Sequence, residues 1–201
     1  MSSCGSHLPV TLEPETVIGH GMNKQELAAN PQLNDYFVQN LNKNPVLPFG
    51  DDSFDACLIA VSVQYLTDPV AVFAEIGRIL RPGGGLVVSF SNRMFPTKAV
   101  AIWRSLDNAG HRQYVAACLE KSGAFAEIES ADLSPVPGRG DPLFSVTGRT
   151  PAYLAPARQE TLYSPNRRTA IAVVYDISAP RANFGSGCET TRLIFTATAS
   201  L

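Results

Sequence analysis

The run Ala56-Cys57-Leu58-Ile59-Ala60-Val61-Ser62-Val63 is apolar at nearly every position and does not alternate with polar residues. A strand of this kind is covered on both faces, as in the interior of a parallel sheet. The residues after it define the connection. Asp68 is suited to cap a helix and Pro69 to open it, while Val70, Phe73, Ile76 and Leu80 supply an inward stripe. The helix is expected to end at Arg81-Pro82-Gly83-Gly84-Gly85, with Gly83 in the left-handed conformation, and a second buried strand follows over 86–90. Strand, helix and strand in this order imply a parallel pair joined by a right-handed crossover.

The same alternation extends from residue 15 to 149. A short strand at 16–19 leads into a short helix over 23–30, where Asn23 is the cap, Glu26 lies three residues on, and Pro31 is the stop. A strand is expected at 36–41 and a turn-rich loop at 44–55. Pro96 opens a helical region that reads as two helices, 97–110 and 111–123, broken near Gly110. Strands at 125–133 and 141–149 close this part as an antiparallel pair. The fold class is therefore α/β, a three-layer Rossmann-like sandwich with a mostly parallel sheet and an antiparallel strand on its C-terminal side.

At Thr150 the character changes. Residues 150–169 contain three prolines and no helical stripe, so they read as linker or coil. Two strand candidates follow, 170–177, which ends in an acid, and a weaker one at 192–198. The expected division is an α/β domain over 1–149 and an extra segment over 150–201.

Several function classes are disfavoured early. A formal net charge of −2 does not suit a protein that binds nucleic acid through bulk charge. No apolar run approaches the roughly 20 residues of a membrane span, and the N-terminus lacks the order of a secretory signal. Cys4, Cys57, Cys118 and Cys188 form no C-x-x-C pair, and His7, His20 and His111 lie near no other ligand at metal-binding spacing. No metal site is expected, and the balance points to a cytoplasmic protein.

The glycines of Val17-Ile18-Gly19-His20-Gly21-Met22-Asn23 invite a dinucleotide-binding reading, which fails on three counts. Lys24 stands where a third glycine is needed, the helix behind is too short, and the next strand ends in Asn40-Leu41-Asn42 with no carboxylate for a ribose.

Another pattern is more specific. Leu47-Pro48-Phe49, Asp51 and Ser53-Phe54-Asp55 precede the first buried strand, and Leu80-Arg81-Pro82-Gly83-Gly84 precedes the next. In order and spacing this resembles the C-terminal half of class I S-adenosylmethionine-dependent methyltransferases, in particular the type 11 group that includes ubiquinone and menaquinone biosynthesis enzymes. The resemblance covers roughly 15–149 and does not extend into 150–201. It places the glycines above at the second strand of that fold, beside the cofactor's ribose, and the chain is expected to begin inside or just after the first cofactor loop. The first strand of that fold is central, so its absence would leave two unpaired inner edges.

Carried over by position, the resemblance implies that Ser2, Ser3 and Gly5 belong to the first loop. Gly21, Met22 and Asn23 stand at the ribose edge, Asn40 and Leu41 at the adenine edge, and Ser62 beyond the fourth strand near the methyl group. Asn23 can equally serve as the helix cap, and Asn40 stands where an acid is usual. Gln64, Tyr65, Asn92 and Arg93 are the candidates for the methyl acceptor, with Ser91 and Lys98 nearby. Arg93 or Lys98 suits an anionic acceptor, or both cations are simply solvated.

The implied activity is methyl transfer from S-adenosylmethionine to a small molecule, which asks for alignment and electrostatics rather than a fixed acid–base pair. The alternative is a catalytically inactive remnant of the same fold, or an incomplete gene product, with at most a binding or regulatory role. A third expectation concerns the tail: residues 170–177 are apolar and long enough to occupy the vacant central strand position.

Overall fold

The computed structural model describes Leu8, residues 12–134 and 140–152, and the backbone of 170–175. Its elements are β1 (Thr16–Gly21), α1 (Lys24–Ala28), β2 (Asp35–Val38), β3 (Phe54–Ala60), a 3-10 turn (Val63–Tyr65), α2 (Pro69–Ile79), β4 (Leu80–Phe90), α3 (Ala101–Ser105), α4 (Asn108–Ser122), β5 (Ala126–Asp132), β6 (Phe144–Arg149) and β7 (Ala170–Tyr175). The strand expected at 192–198 lies outside the described residues.

The strands form one sheet in the order β2-β1-β7-β3-β4-β6-β5. β1, β2, β3, β4 and β7 run parallel, and β6 is antiparallel to both β4 and β5. The step from β1 to β2 moves towards one edge and the step from β3 to β4 towards the other. Right-handed crossovers in opposite directions put α1 and α2 on opposite faces, which produces three layers.

The two faces bury different sets of side chains. On one, Ile59, Val88, Phe90 and Val146 of the sheet pack with Phe73, Ile76 and Ile79 of α2 and Val115 and Leu119 of α4. On the other, Val17, Leu58, Ala60 and Val87 pack with Leu8, and Leu12 and Leu33 lie against them. Successive residues of each strand serve opposite faces, as the alternation of strand side chains requires. Ile18 faces the first cluster and its neighbour Val17 the second.

β7 sits in the middle. It pairs with β1 over Thr16↔Ala170 to Gly21↔Tyr175 and with β3 over Ala56↔Ile171 to Ile59↔Val174. The central slot is thus filled by a strand that follows every other strand of the sheet in sequence. This is the third expectation above, seen over Ala170–Tyr175, while residues 176 and 177 lie outside the described residues.

Several boundaries differ from expectation. α2 is capped by the Asp68 side chain, with Pro69 in its first turn, but ends at Ile79. Leu80 is already extended, so Arg81-Pro82-Gly83-Gly84-Gly85 belongs to β4 rather than to a helix C-cap. Gly83 does take a positive φ of 78°, within an irregularity where 80–85 oppose only 54–56. That irregularity holds the end of β6. The Thr150 hydroxyl donates to the Arg81 carbonyl at 2.6 Å, and the Gly83 amide donates to the Thr150 carbonyl at 3.2 Å. The helix break expected near Gly110 falls at Leu106–Asp107, because the Asp107 carboxylate caps α4 by accepting from the Gly110 amide at 2.7 Å. Pro96 opens no helix, since α3 starts at Ala101. β2 is shorter than expected, and β3 begins at Phe54 and stops at Ala60.

Candidate functional site

In an open α/β sheet, ligands sit beyond the carboxyl ends of the parallel strands, where the strand order reverses. Here that edge is formed by the ends of β2, β1, β7, β3 and β4, with the reversal falling on either side of β7.

At the end of β1 stand Gly21, Met22 and Asn23. Asn23 caps α1, its Oδ1 accepting from the amides of Gln25 at 3.0 Å and Glu26 at 3.4 Å. Gly21 accepts from the Gln39 amide at 3.4 Å, which ties the ends of β1 and β2. Gly19 has a packing reason: a methyl group there would run into the Leu33 side chain on the α1 face. It therefore belongs to the contact between β1 and the segment after α1.

Beyond β2 the chain turns through Asn40, whose Oδ1 accepts from the Asn42 amide at 3.0 Å. Leu41 is buried in the main core. Asn42, which the sequence does not single out, anchors this loop. Its amide donates to the Tyr65 carbonyl at 2.9 Å, and its Oδ1 accepts from the Thr67 amide at 2.8 Å.

Beyond β3 the turn is strained. Val61 has a φ of 49°, a left-handed value that is rare for a β-branched residue, while its amide donates to the Ser89 carbonyl at 2.8 Å. The turn buries Ser62 and Gln64 almost completely. Gln64 Nε2 donates to the Val61 carbonyl at 3.1 Å, but Gln64 Oε1 and Ser62 Oγ have no hydrogen-bond partner among the described residues. Tyr65 is also buried, and its hydroxyl accepts from the Phe95 amide at 3.1 Å, so the turn after β3 holds the loop after β4.

On that second loop Asn92 and Arg93 are exposed. Arg93 Nε donates to Asp141 Oδ1 at 2.6 Å, linking the loop to the segment before β6. Lys98 is exposed. Ser2, Ser3 and Gly5 lie outside the described residues.

His20, next to Gly21, is only 2% exposed. Its Nε2 lies 2.9 Å from the Gln39 carbonyl, so Nε2 carries the proton, and its ring stands 4.7 Å from Phe37. Burial pulls its pKa down to about 4 against the opposing pull of the Gln39 hydrogen bond, which keeps the imidazole neutral at pH 7. His111 and Trp103 are both buried and stack at 4.1 Å, and Trp103 packs edge-on to Phe90 at the end of β4. Among the described residues no group of His, Cys, Asp and Glu could hold a metal ion, and no helix is long and apolar enough to cross a membrane.

The edge presents Gly21, Asn23, Asn40, Ser62, Gln64 and Tyr65 from the three connections after β1, β2 and β3, with neutral hydrogen-bonding groups and no charge among them. Residues 9–88, from before β1 into β4, match a family described as a methyltransferase domain. The bifunctional biotin biosynthesis protein BioHC of Teredinibacter turnerae is 33% identical over 86 residues, which is 43% of this chain and 14% of that protein. A demethylmenaquinone methyltransferase of Mycobacterium sp. (strain KMS) is 49% identical over 55 residues, 25% of this chain and 24% of the relative. The chain therefore aligns with less than a quarter of the length of either. Among solved structures, the [4+2]-cyclase SpnF superposes with a TM-score of 0.53 at 16% identity, over 72% of this chain and 78% of that one, a likeness of fold. Residues 9–88, with the sheet built around them, are thus similar to a methyltransferase domain.

Proposed function

We propose that the carboxyl edge of the parallel strands binds S-adenosylmethionine and directs transfer of its methyl group to a small-molecule acceptor. The observation that carries this reading is the pair of buried oxygens, Ser62 Oγ and Gln64 Oε1, which have no partner among the described residues and lie on the strained turn after β3. Buried polar atoms without partners are costly, and such atoms at a ligand edge are suited to a polar ligand. The family match over 9–88 supports the choice of cofactor.

The residues present fit such a cofactor through neutral groups. Asn40 offers a carboxamide for the adenine, able to accept from its amine and donate to a ring nitrogen. Asn23 and the backbone at Gly21 and Met22 are the ribose contacts. Ser62, Gln64 and Tyr65 line the path to the acceptor, with Asn92 and Arg93 on the outer loop. S-adenosylmethionine, when bound, supplies a methyl group on a sulfonium that is already a good leaving group. The chain's own work is then to orient the two partners in line and to exclude water, for which the rigid, mutually tied turns at Tyr65, Phe95 and Asn42 are suited.

A second reading is a non-catalytic domain of the same fold. It is favoured by the commitment of Asn23 Oδ1 to two backbone amides and by the lack of any carboxylate in 21–25 or 39–42. Calorimetric titration with S-adenosylmethionine and S-adenosylhomocysteine separates the two. Micromolar binding that weakens in Asn40→Ala supports the enzyme, and no binding up to millimolar ligand leaves the non-catalytic reading.

A further inference from the structure

β7 has an unusual place in the sheet. The remaining strands form two groups, β2-β1 and β3-β4-β6-β5, and among the described residues β7 alone joins them by backbone pairing. Without it the facing edges of β1 and β3 would each present a row of unpaired amides and carbonyls, an arrangement that invites another strand. A match over 9–88 accounts for the walls of this slot, and the strand that fills it lies far beyond that range.

The register shows how the chain can deliver it. Arg149 of β6 pairs with Gly85 of β4, Gly85 with Ala56 of β3, and Ala56 with Ile171 of β7. β6 therefore ends, and β7 begins, on the same side of the sheet. Three strand spacings of about 4.8 Å separate the two points, roughly 14 Å in all. The connector 150–169 has several times that reach. A connector so much longer than the gap imposes no strain on the strand, and it acts chiefly by holding a high local concentration of it.

The geometry points to the space between β1 and β3 as a docking site for a parallel β-strand, occupied reversibly by this chain's own residues 170–175. Docking completes the sheet by main-chain hydrogen bonds on both sides, in the manner of strand addition. It also places the end of β7 between the ends of β1 and β3, so the ligand edge is whole only in the docked state. The inference concerns assembly of the sheet and holds whether or not the edge catalyses methyl transfer.

The test uses the full chain with a specific protease site introduced within 153–169. After cutting, the two pieces are expected to co-elute and to melt in one transition at high protein concentration. On dilution the C-terminal piece should be lost, and a labelled peptide of residues 168–177 should take its place. Because the connector supplies an effective concentration on the order of millimolar, retention should become concentration-dependent only after the cut. Val173→Pro in the same peptide removes an amide from the ladder and should abolish exchange. Separation of the pieces with the larger one keeping the uncut melting temperature would overturn the proposal. So would loss of the fold that the unmodified peptide does not restore, or equal exchange by the proline peptide.

Discussion

The Asn42 carboxamide donates to the Tyr65 carbonyl at 2.9 Å while accepting from the Thr67 amide at 2.8 Å. One side chain thus ties the loop after β2 to the turn after β3, although β1 and β7 stand between those strands. Tyr65 passes the restraint on, since its hydroxyl holds the Phe95 amide at 3.1 Å. Asn42→Ala leaves two backbone groups without this partner in a partly exposed setting. It is expected to cost about 1 kcal/mol in urea unfolding, near the low end for such losses. Asn42→Asp keeps the acceptor and loses the donor, so it should fall between the two.

His20 gives the fold an acid-sensitive element. Its folded pKa is near 4, lowered from 6.5 by burial. Between those values the unfolded chain takes up a proton that the folded chain refuses. The stabilisation is therefore complete above about pH 6.5 and declines as pH falls towards 4, by up to about 3 kcal/mol. His20→Phe should flatten this part of the stability–pH curve, as read from urea midpoints between pH 4 and 7.

Asn23→Asp separates capping from ligand binding. Asp caps a helix as well as Asn does, so thermal stability should change little. The added ionised acceptor should tighten S-adenosylmethionine binding by roughly 5- to 10-fold, since hydrogen bonds to charged groups are the stronger ones. Unchanged affinity in calorimetric titration would remove Asn23 from the ribose contacts.

Arg93 and Asp141 are both more than half exposed. Exposed pairs contribute little, so Arg93→Ala should shift stability by less than about 1 kcal/mol. If Arg93 meets an anionic acceptor, the same variant should raise the acceptor's KM while leaving S-adenosylmethionine affinity unchanged.

Trp103 is fully buried, edge-on to Phe90 at 5.3 Å and stacked on His111. Trp103→Ala should cost about 3–5 kcal/mol as the cavity forms. Denaturant titration checks this, and Trp103→Phe should recover most of the loss.

The local pattern of the sequence was sufficient for much of this architecture. An apolar run without alternation specified β3 as a doubly covered strand, and Asp68-Pro69 specified where α2 begins, because burial and capping are read from a few neighbouring residues. The strand character of 170–175 was equally local. Its neighbours were not, since parallel pairing joins residues far apart and any apolar strand of that length meets the same backbone requirement. Only the folded sheet puts Ile171 between Val17 and Ala56. Tertiary contacts also decided the roles of single residues. Gly19 answers to Leu33, Gly83 to the Thr150 closure, and Asn42 to Tyr65. In each case the partner comes from another element, so the spacing along the chain carries no mark of it.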